Sequence, residues 1–77
     1  MELNIKYFGL LSEVTNCNEE IIDFSGTYIY ELIDVLYNKY AILKDKDFQV
    51  AQNHELVSFE TKLTSNQIVL LPPFSGG

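Results

Sequence analysis

The residues with the clearest potential for chemistry form the run Leu70-Leu71-Pro72-Pro73-Phe74-Ser75-Gly76-Gly77. Each proline fixes its backbone φ angle near about −65° and removes a hydrogen-bond donor, so the Pro-Pro segment is predicted to be stiff, extended and unable to join a sheet interior. Residues 72–77 are therefore predicted to lie outside the domain as a flexible C-terminal tail that begins with this stiff segment. Gly76 and Gly77 carry no Cβ and can enter a confined space. We therefore predict that this tail, which can reach roughly 20 Å when extended, presents the α-carboxylate of Gly77 to the enclosed active site of a partner.

Other reactive residue types lack the neighbours that their chemistry requires. His54 follows Asn53 in a predicted turn and has no Cys, Asp or second His at metal-ligand spacing, which favours an ordinary turn residue. Cys17 has no basic neighbour in sequence that would lower the pKa of its thiol. A Ser75 nucleophile would need a general base, and none is placed nearby in the sequence. The sequence therefore predicts no active site, bound cofactor or metal within this chain itself.

Composition limits the class of partner. The 77 residues carry a net charge of −6, and 47% of them are hydrophobic, which suits a single small domain. The acidic balance disfavours nucleic acid and anionic membranes and suits a basic protein surface, although it also serves solubility alone. Glu2, Asn4 and Lys6 interrupt any apolar run that would make a signal peptide. The single cysteine fits a reducing compartment, so we expect a cytoplasmic protein.

The elements that must position the tail follow from hydrophobic periodicity. Leu3, Ile5 and Tyr7 alternate with polar residues and predict a first strand, which ends near Gly9. Residues 10–14 have helical spacing, and residues 19–24 predict a second strand, with Ile22 and Phe24 facing inward. Ser25, Gly26 and Thr27 are expected to cap the helix that follows.

The main helix is predicted over residues 28–40, where Ile29, Leu32, Ile33, Leu36 and Tyr40 form one apolar stripe. Residues 41–47 form a connection, residues 48–52 a third strand, and residues 55–57 a short strand after the Asn53-His54 turn. Residues 67–71 are apolar on both faces and predict a central strand. This order favours an α+β β-grasp, or ubiquitin-like, domain over residues 1–71, with four or five strands, one main helix, and parallel first and last strands in the middle.

The sequence resembles the small subunit of molybdopterin synthase, a ubiquitin-like sulfur carrier of the ThiS/MoaD type. The resemblance runs nearly end to end, and its most specific part is the run Val69-Leu70-Leu71-Pro72-Pro73-Phe74-Ser75-Gly76-Gly77. Its other parts are Tyr7-Phe8-Gly9-Leu10-Leu11-Ser12-Glu13, the helix over residues 28–40, and Val50-Ala51-Gln52-Asn53. Departures from the family pattern are Ser12, where a basic residue is usual, Gln52 and Phe74, where valine is usual, and Asn16, where glycine is common.

The resemblance implies that an adenylyltransferase of the ubiquitin-activating type uses ATP to activate Gly77. A sulfur donor protein would then convert the adenylate to a thiocarboxylate. The tail residues Pro72, Pro73, Phe74, Ser75 and Gly76 would insert into the large synthase subunit, and sulfur would pass to cyclic pyranopterin monophosphate in molybdenum cofactor biosynthesis. The catalytic side chains would belong to the large subunit, so the chain would not be an enzyme on its own.

The resemblance also implies a docking patch on the outer face of the sheet, with Phe8, Val69 and Leu71 as candidates, although burial in the core would explain these three residues equally well. Two other functions remain open at this point. The first is a sulfur carrier for another pathway, such as thiamine synthesis or tRNA thiolation. The second is a non-covalent ubiquitin-like interaction module, or a modifier joined to lysines.

Overall fold

A computed structural model describes residues 1–73 of the chain. It contains five strands, two α-helices and one 3₁₀ helix. The strands are β1 (Glu2–Tyr7), β2 (Glu19–Asp23), β3 (Gln49–Gln52), β4 (Glu55–Val57) and β5 (Gln67–Leu71). The helices are α1 (Leu10–Thr15), α2 (Ile29–Lys39) and the 3₁₀ helix (Ala41–Asp45). None of the helices within residues 1–73 is long and apolar enough to cross a membrane.

The five strands form one mixed sheet in the order β2-β1-β5-β3-β4. β1 and β5 lie side by side and parallel, with Ile5 opposite Ile68 and Tyr7 opposite Leu70. The other neighbouring pairs, β1 with β2, β3 with β4 and β3 with β5, are antiparallel. This confirms the predicted β-grasp arrangement and the central place of the last strand.

The core lies on one side of the sheet, beneath α2. Ile29, Leu32, Ile33 and Leu36 on the helix are fully or almost fully buried, as the apolar stripe predicts. They pack in one cluster with inward side chains from the strands, namely Leu3, Ile5, Tyr7, Val50, Ile68 and Leu70. An isolated helix of this length is marginal in water, so this packing is what stabilises it.

Two local features differ from the sequence-based expectation. The connection after α2 contains the 3₁₀ helix, whose Leu43 is fully buried and joins the core. The N-terminal residue that flanks α2 is Tyr28, so Ser25, Gly26 and Thr27 do not cap the helix. Instead, the Glu31 carboxylate accepts hydrogen bonds from the backbone N–H groups of Thr27 and Tyr28, at 2.8 and 2.9 Å. These two hydrogen bonds lower the pKa of the Glu31 carboxyl.

The buried side-chain amide of Gln52 ties the long loop after β4 to strand β3. The side-chain Nε2 of Gln52 donates to the carbonyl of Lys62 at 2.8 Å, and its Oε1 accepts from the N–H of Thr64 at 3.0 Å. Gln52 is only 5% exposed, and both ends of its amide are paired, so its burial carries no unpaired polar group. This explains a polar residue at an inward position of β3, where valine would be usual in the family that the sequence resembles.

Candidate functional site

The side of the sheet away from α2 is uncovered within residues 1–73 and forms the candidate site. Side chains alternate along a strand, so the burial of Ile68 and Leu70 beneath α2 places Val69 and Leu71 on the outward face. Both outward residues are half-buried. Phe8, just after β1, is 48% exposed beside them. The three residues predicted as a docking patch therefore lie outside the core cluster, and their role in docking remains a prediction.

This outward face is concave. The depression is open to solvent, has a volume of about 1020 Å³, and is lined by residues from four strands and by the first two residues of the tail. Its apolar lining is Phe8, Ala51, Leu56, Val69, Leu71, Pro72 and Pro73. Leu56 is 58% exposed and extends the surface onto the edge strand β4. An apolar surface of this kind, continuous with the start of the tail, is typical of a protein contact.

The start of the tail is held by the turn after β1. The N–H of Phe8 donates to the carbonyl of Leu70 at 3.1 Å, which continues the β1–β5 pairing to the end of both strands. Gly9 then turns the chain into α1, and Pro72 lies against it. Of the predicted tail, Phe74, Ser75, Gly76 and Gly77 lie outside the described residues, so their proposed roles and the boundary at residue 72 stay predictions.

Of the other two candidate reactive residues, Cys17 packs against the core, whereas His54 lines the concave outer face together with Pro72 and Pro73. Cys17 is half-buried, and its sulfur lies 3.7 Å from the Thr15 hydroxyl and 4.0 Å from the Tyr40 hydroxyl. His54 occupies the β3–β4 turn with φ +65°, after Asn53 with φ +54°. Within residues 1–73, no group of three or more His, Cys, Asp or Glu side chains could hold a metal ion.

A polar cluster that sequence reasoning missed ties β2 to α2. The Glu20 carboxylate oxygen Oε2 accepts hydrogen bonds from the hydroxyls of Tyr7 and Tyr40, both at 2.6 Å. Its other oxygen forms an ion pair with Lys39. Burial raises the pKa of Glu20, but the three donors outweigh burial and lower that pKa overall. Burial, and then the hydrogen bond to Glu20, raise the pKa values of both tyrosines, so these hydroxyls stay protonated as donors.

The described residues therefore offer a surface for binding. The concave outer face can take a partner, and the tail leaves the domain beside that face. The polar cluster around Glu20 lies on the other side of the sheet, where it joins elements of the core. The sequence predicted only that Gly9 ends the first strand. Its contact with Pro72 could not be predicted from the sequence.

Comparison with known proteins agrees with this description. The model of a family described as the ThiS family matches residues 5–77. A Pyrococcus furiosus protein assigned as molybdopterin converting factor, subunit 1, has a similar fold, with a TM-score of 0.86 and 21% identity, over 96% of this chain and 99% of that chain. Small archaeal modifier protein 1 (SAMP1) of Haloferax volcanii gives a TM-score of 0.80 with 21% identity, and both chains are covered completely, at 100%.

A third similar structure is a complex. It contains subunits 1 and 2 of molybdopterin-converting factor from Helicobacter pylori 26695. The matching chain is 25% identical to this one, with a TM-score of 0.67, and the match covers 100% of each chain.

Proposed function

The chain belongs to the ThiS family of ubiquitin-like sulfur carriers, and on that premise we propose that it is the sulfur-carrying small subunit of molybdopterin synthase. The observation that carries the proposal is the continuity of the concave outer face with the tail. Pro72 and Pro73 line the same surface as Phe8, Val69 and Leu71. A large subunit seated on this face would receive the tail directly beside its docking contacts. The Helicobacter pylori complex of subunits 1 and 2 supports a partner of this kind.

The proposed chemistry takes place at the α-carboxylate of Gly77. A carboxylate oxygen attacks the α-phosphorus of ATP in the adenylyltransferase, and pyrophosphate leaves. Sulfide delivered by a sulfur donor attacks the acyl carbon, and AMP leaves with the oxygen. The product is a thiocarboxylate, which carries one sulfur to cyclic pyranopterin monophosphate in the large subunit. The domain contributes the docking face and the position of the tail, and its partners contribute the catalytic groups.

The absence of a side chain at Gly76 and Gly77 supports this assignment. Without a Cβ, the backbone can approach catalytic groups that would clash with any other residue. Pro72 and Pro73 limit the conformations of the preceding chain, so less entropy is lost when a partner orders it. The net charge of −6 complements a partner with a basic surface.

The direct test is intact-mass measurement. The chain is incubated with the adenylyltransferase, ATP and sulfide, and we expect its mass to rise by one oxygen-to-sulfur exchange. A variant that lacks Gly77 should keep the same circular dichroism spectrum and midpoint of unfolding but gain no sulfur and support no molybdopterin formation. An unchanged mass of the full chain beside a known carrier that is converted in the same mixture would contradict the proposal.

The docking face has its own matched test. Phe8→Ala should weaken binding to the large subunit by about tenfold or more, because truncating a central aromatic contact typically costs about 1–2 kcal/mol or more. Tyr30→Ala is the control, since Tyr30 on α2 is 46% exposed, close to the 48% of Phe8, but lies in the helix layer. Equal affinities of the two variants, measured by titration calorimetry, would remove the outer face as the docking surface.

Capture of partners from source cells separates the pathways. A thiocarboxylate-dependent complex with a molybdopterin synthase large subunit supports the proposal. Recovery of a thiazole synthase or a tRNA-thiolation enzyme instead would assign the chain to another sulfur pathway. Isopeptide-linked lysine products would assign it as a protein modifier.

A further inference from the structure

The backbone at Gly9 adopts a conformation that only glycine takes readily. Its φ is +61° and its ψ is −138°, a combination in which an L side chain would be strained. The adjacent Phe8 still pairs with β5 through its N–H bond to Leu70. The turn at Gly9 is therefore fixed to β5 at Leu70, two residues before Pro72.

The space beside Gly9 is filled by Pro72. A methyl group added at the Cβ position of Gly9 would lie 2.7 Å from Cγ of the Pro72 ring and 3.7 Å from its Cδ. The shorter distance is well inside van der Waals contact. The proline ring is closed onto its own backbone, so it cannot rotate away as a flexible side chain would. A residue other than glycine would therefore have to displace the Pro72 ring at the base of the tail.

We propose that Gly9 is a positioning residue: by seating the Pro72 ring, it fixes the direction in which the tail leaves the sheet. This inference rests on the proposed function of Gly77 as the reacting group. Five residues from Pro73 onward reach at most roughly 17 Å, so a rotation of about 20° at the base would move the far end of an extended tail by about 6 Å.

The contact between Gly9 and the Pro72 ring is present in the free chain, before any partner is bound. By holding the base of the tail in one orientation, the contact raises the fraction of free chains that are competent to bind, and the apparent affinity for the partner rises in proportion to that fraction. Disturbing the seat should therefore lower kcat/KM for conversion of Gly77, mainly through KM, while the fold of the domain is kept. A residue with a purely structural role would lower the midpoint of unfolding without this kinetic effect.

The test compares Gly9→Ala, Pro72→Ala, the double variant and a control, Gly26→Ala. In the control, a methyl group would lie 2.5 Å from Cζ of Phe24, so that variant also disturbs packing, but against the buried Phe24 ring after β2. The measured quantities are the midpoint of unfolding and kcat/KM for the ATP- and sulfide-dependent mass increase. We expect Gly9→Ala and Pro72→Ala each to lose about tenfold in kcat/KM.

The double variant decides whether the two residues act together. If the Pro72 ring works through its seat on Gly9, the double variant should be no slower than the slower single variant. Multiplicative losses, or a loss in Gly26→Ala as large as in Gly9→Ala, would overturn the inference. So would equal rates for wild type and Gly9→Ala.

NMR separates this inference from the proposed function. We expect a nuclear Overhauser effect between the Gly9 α-protons and the Pro72 ring in the free wild-type chain. In Gly9→Ala, it should be lost, and the residual dipolar couplings of the Gly76 and Gly77 amides should change. A wild-type chain that is never converted would refute the sulfur-carrier proposal alone. Unchanged couplings in Gly9→Ala would refute the positioning role, whatever the conversion result.

Discussion

Removing the Glu20 carboxylate should expose how the edge strand β2 is fastened to α2. The hydroxyl of Tyr7 donates to Glu20 at 2.6 Å, and Tyr7 is only 2% exposed. Glu20→Ala would leave that buried hydroxyl without its acceptor, which costs about 1–3 kcal/mol. The other two partners, Tyr40 and Lys39, are more exposed and can turn to water. We therefore expect a loss of about 2–3 kcal/mol in the free energy of unfolding.

For a domain of this size, such a loss lowers the midpoint of thermal unfolding by about 8–24 °C. Urea denaturation at pH 7, followed by far-ultraviolet circular dichroism, gives the free energy directly. Tyr7→Phe alone should cost about 1–2 kcal/mol, because it removes one hydrogen bond to a charged group but leaves Glu20 with its other donors.

The double variant tests whether the unpaired Tyr7 hydroxyl is the cause of the loss in stability. With Tyr7→Phe and Glu20→Ala combined, no buried hydroxyl is left unpaired. The double variant should therefore be more stable than the sum of the single effects predicts, by about 1 kcal/mol or more. Additivity within about 0.5 kcal/mol would mean that the Tyr7 hydroxyl finds another partner, such as water, and that the Glu20 cluster does not fasten β2 in the way described.

Two further predictions concern pH and the core. Because the pKa of Glu20 is lowered in the folded state, the stability that this carboxylate contributes is complete above the ordinary glutamate pKa of about 4.3 and is lost as pH falls through the lower folded-state pKa. The free energy of unfolding of Glu20→Gln should therefore depend less steeply on pH below about 4.5 than that of the wild type. An unchanged dependence would contradict the pairing. Leu36→Ala, at a fully buried position, should cost about 2–5 kcal/mol in urea denaturation. Its control, Val35→Ala, lies at a 41% exposed position and should change stability by about 0.5 kcal/mol or less; equal losses would contradict the assigned core.

The parts of the fold that could be predicted are those in which burial on one face imposes a period on the sequence. The inward side chains of β1 and the stripe on α2 follow directly from such periods, and β5 shows its central place by being apolar on both faces. The 3₁₀ helix gives no such signal, because a few residues with one buried leucine fit a loop equally well. The cap at α2 was missed because Glu31 reaches back from inside the helix.

The positions of the site residues could be predicted only where they follow from the alternation of side chains along a strand. The outward position of Val69 and Leu71 follows from alternation once the inward residues of β5 are known. The Glu20 cluster does not follow, because its members come from β1, β2 and the end of α2, and only the three-dimensional pairing brings their oxygen and nitrogen atoms together. The contact of Gly9 with Pro72 joins opposite ends of the chain, and it exists only because β1 and β5 are parallel neighbours.

That parallel pairing connects the fold to the proposed function. In parallel neighbours, both strands end at the same edge of the sheet, so the turn after β1 is necessarily beside the residue that follows β5. β5 is also hydrogen-bonded on both sides, to β1 and to β3. A tail that leaves from such a strand starts from one of the least mobile positions in the sheet, because moving its base would break two ladders. The domain thus holds the last residues of β5, from which the tail leaves, firmly in place.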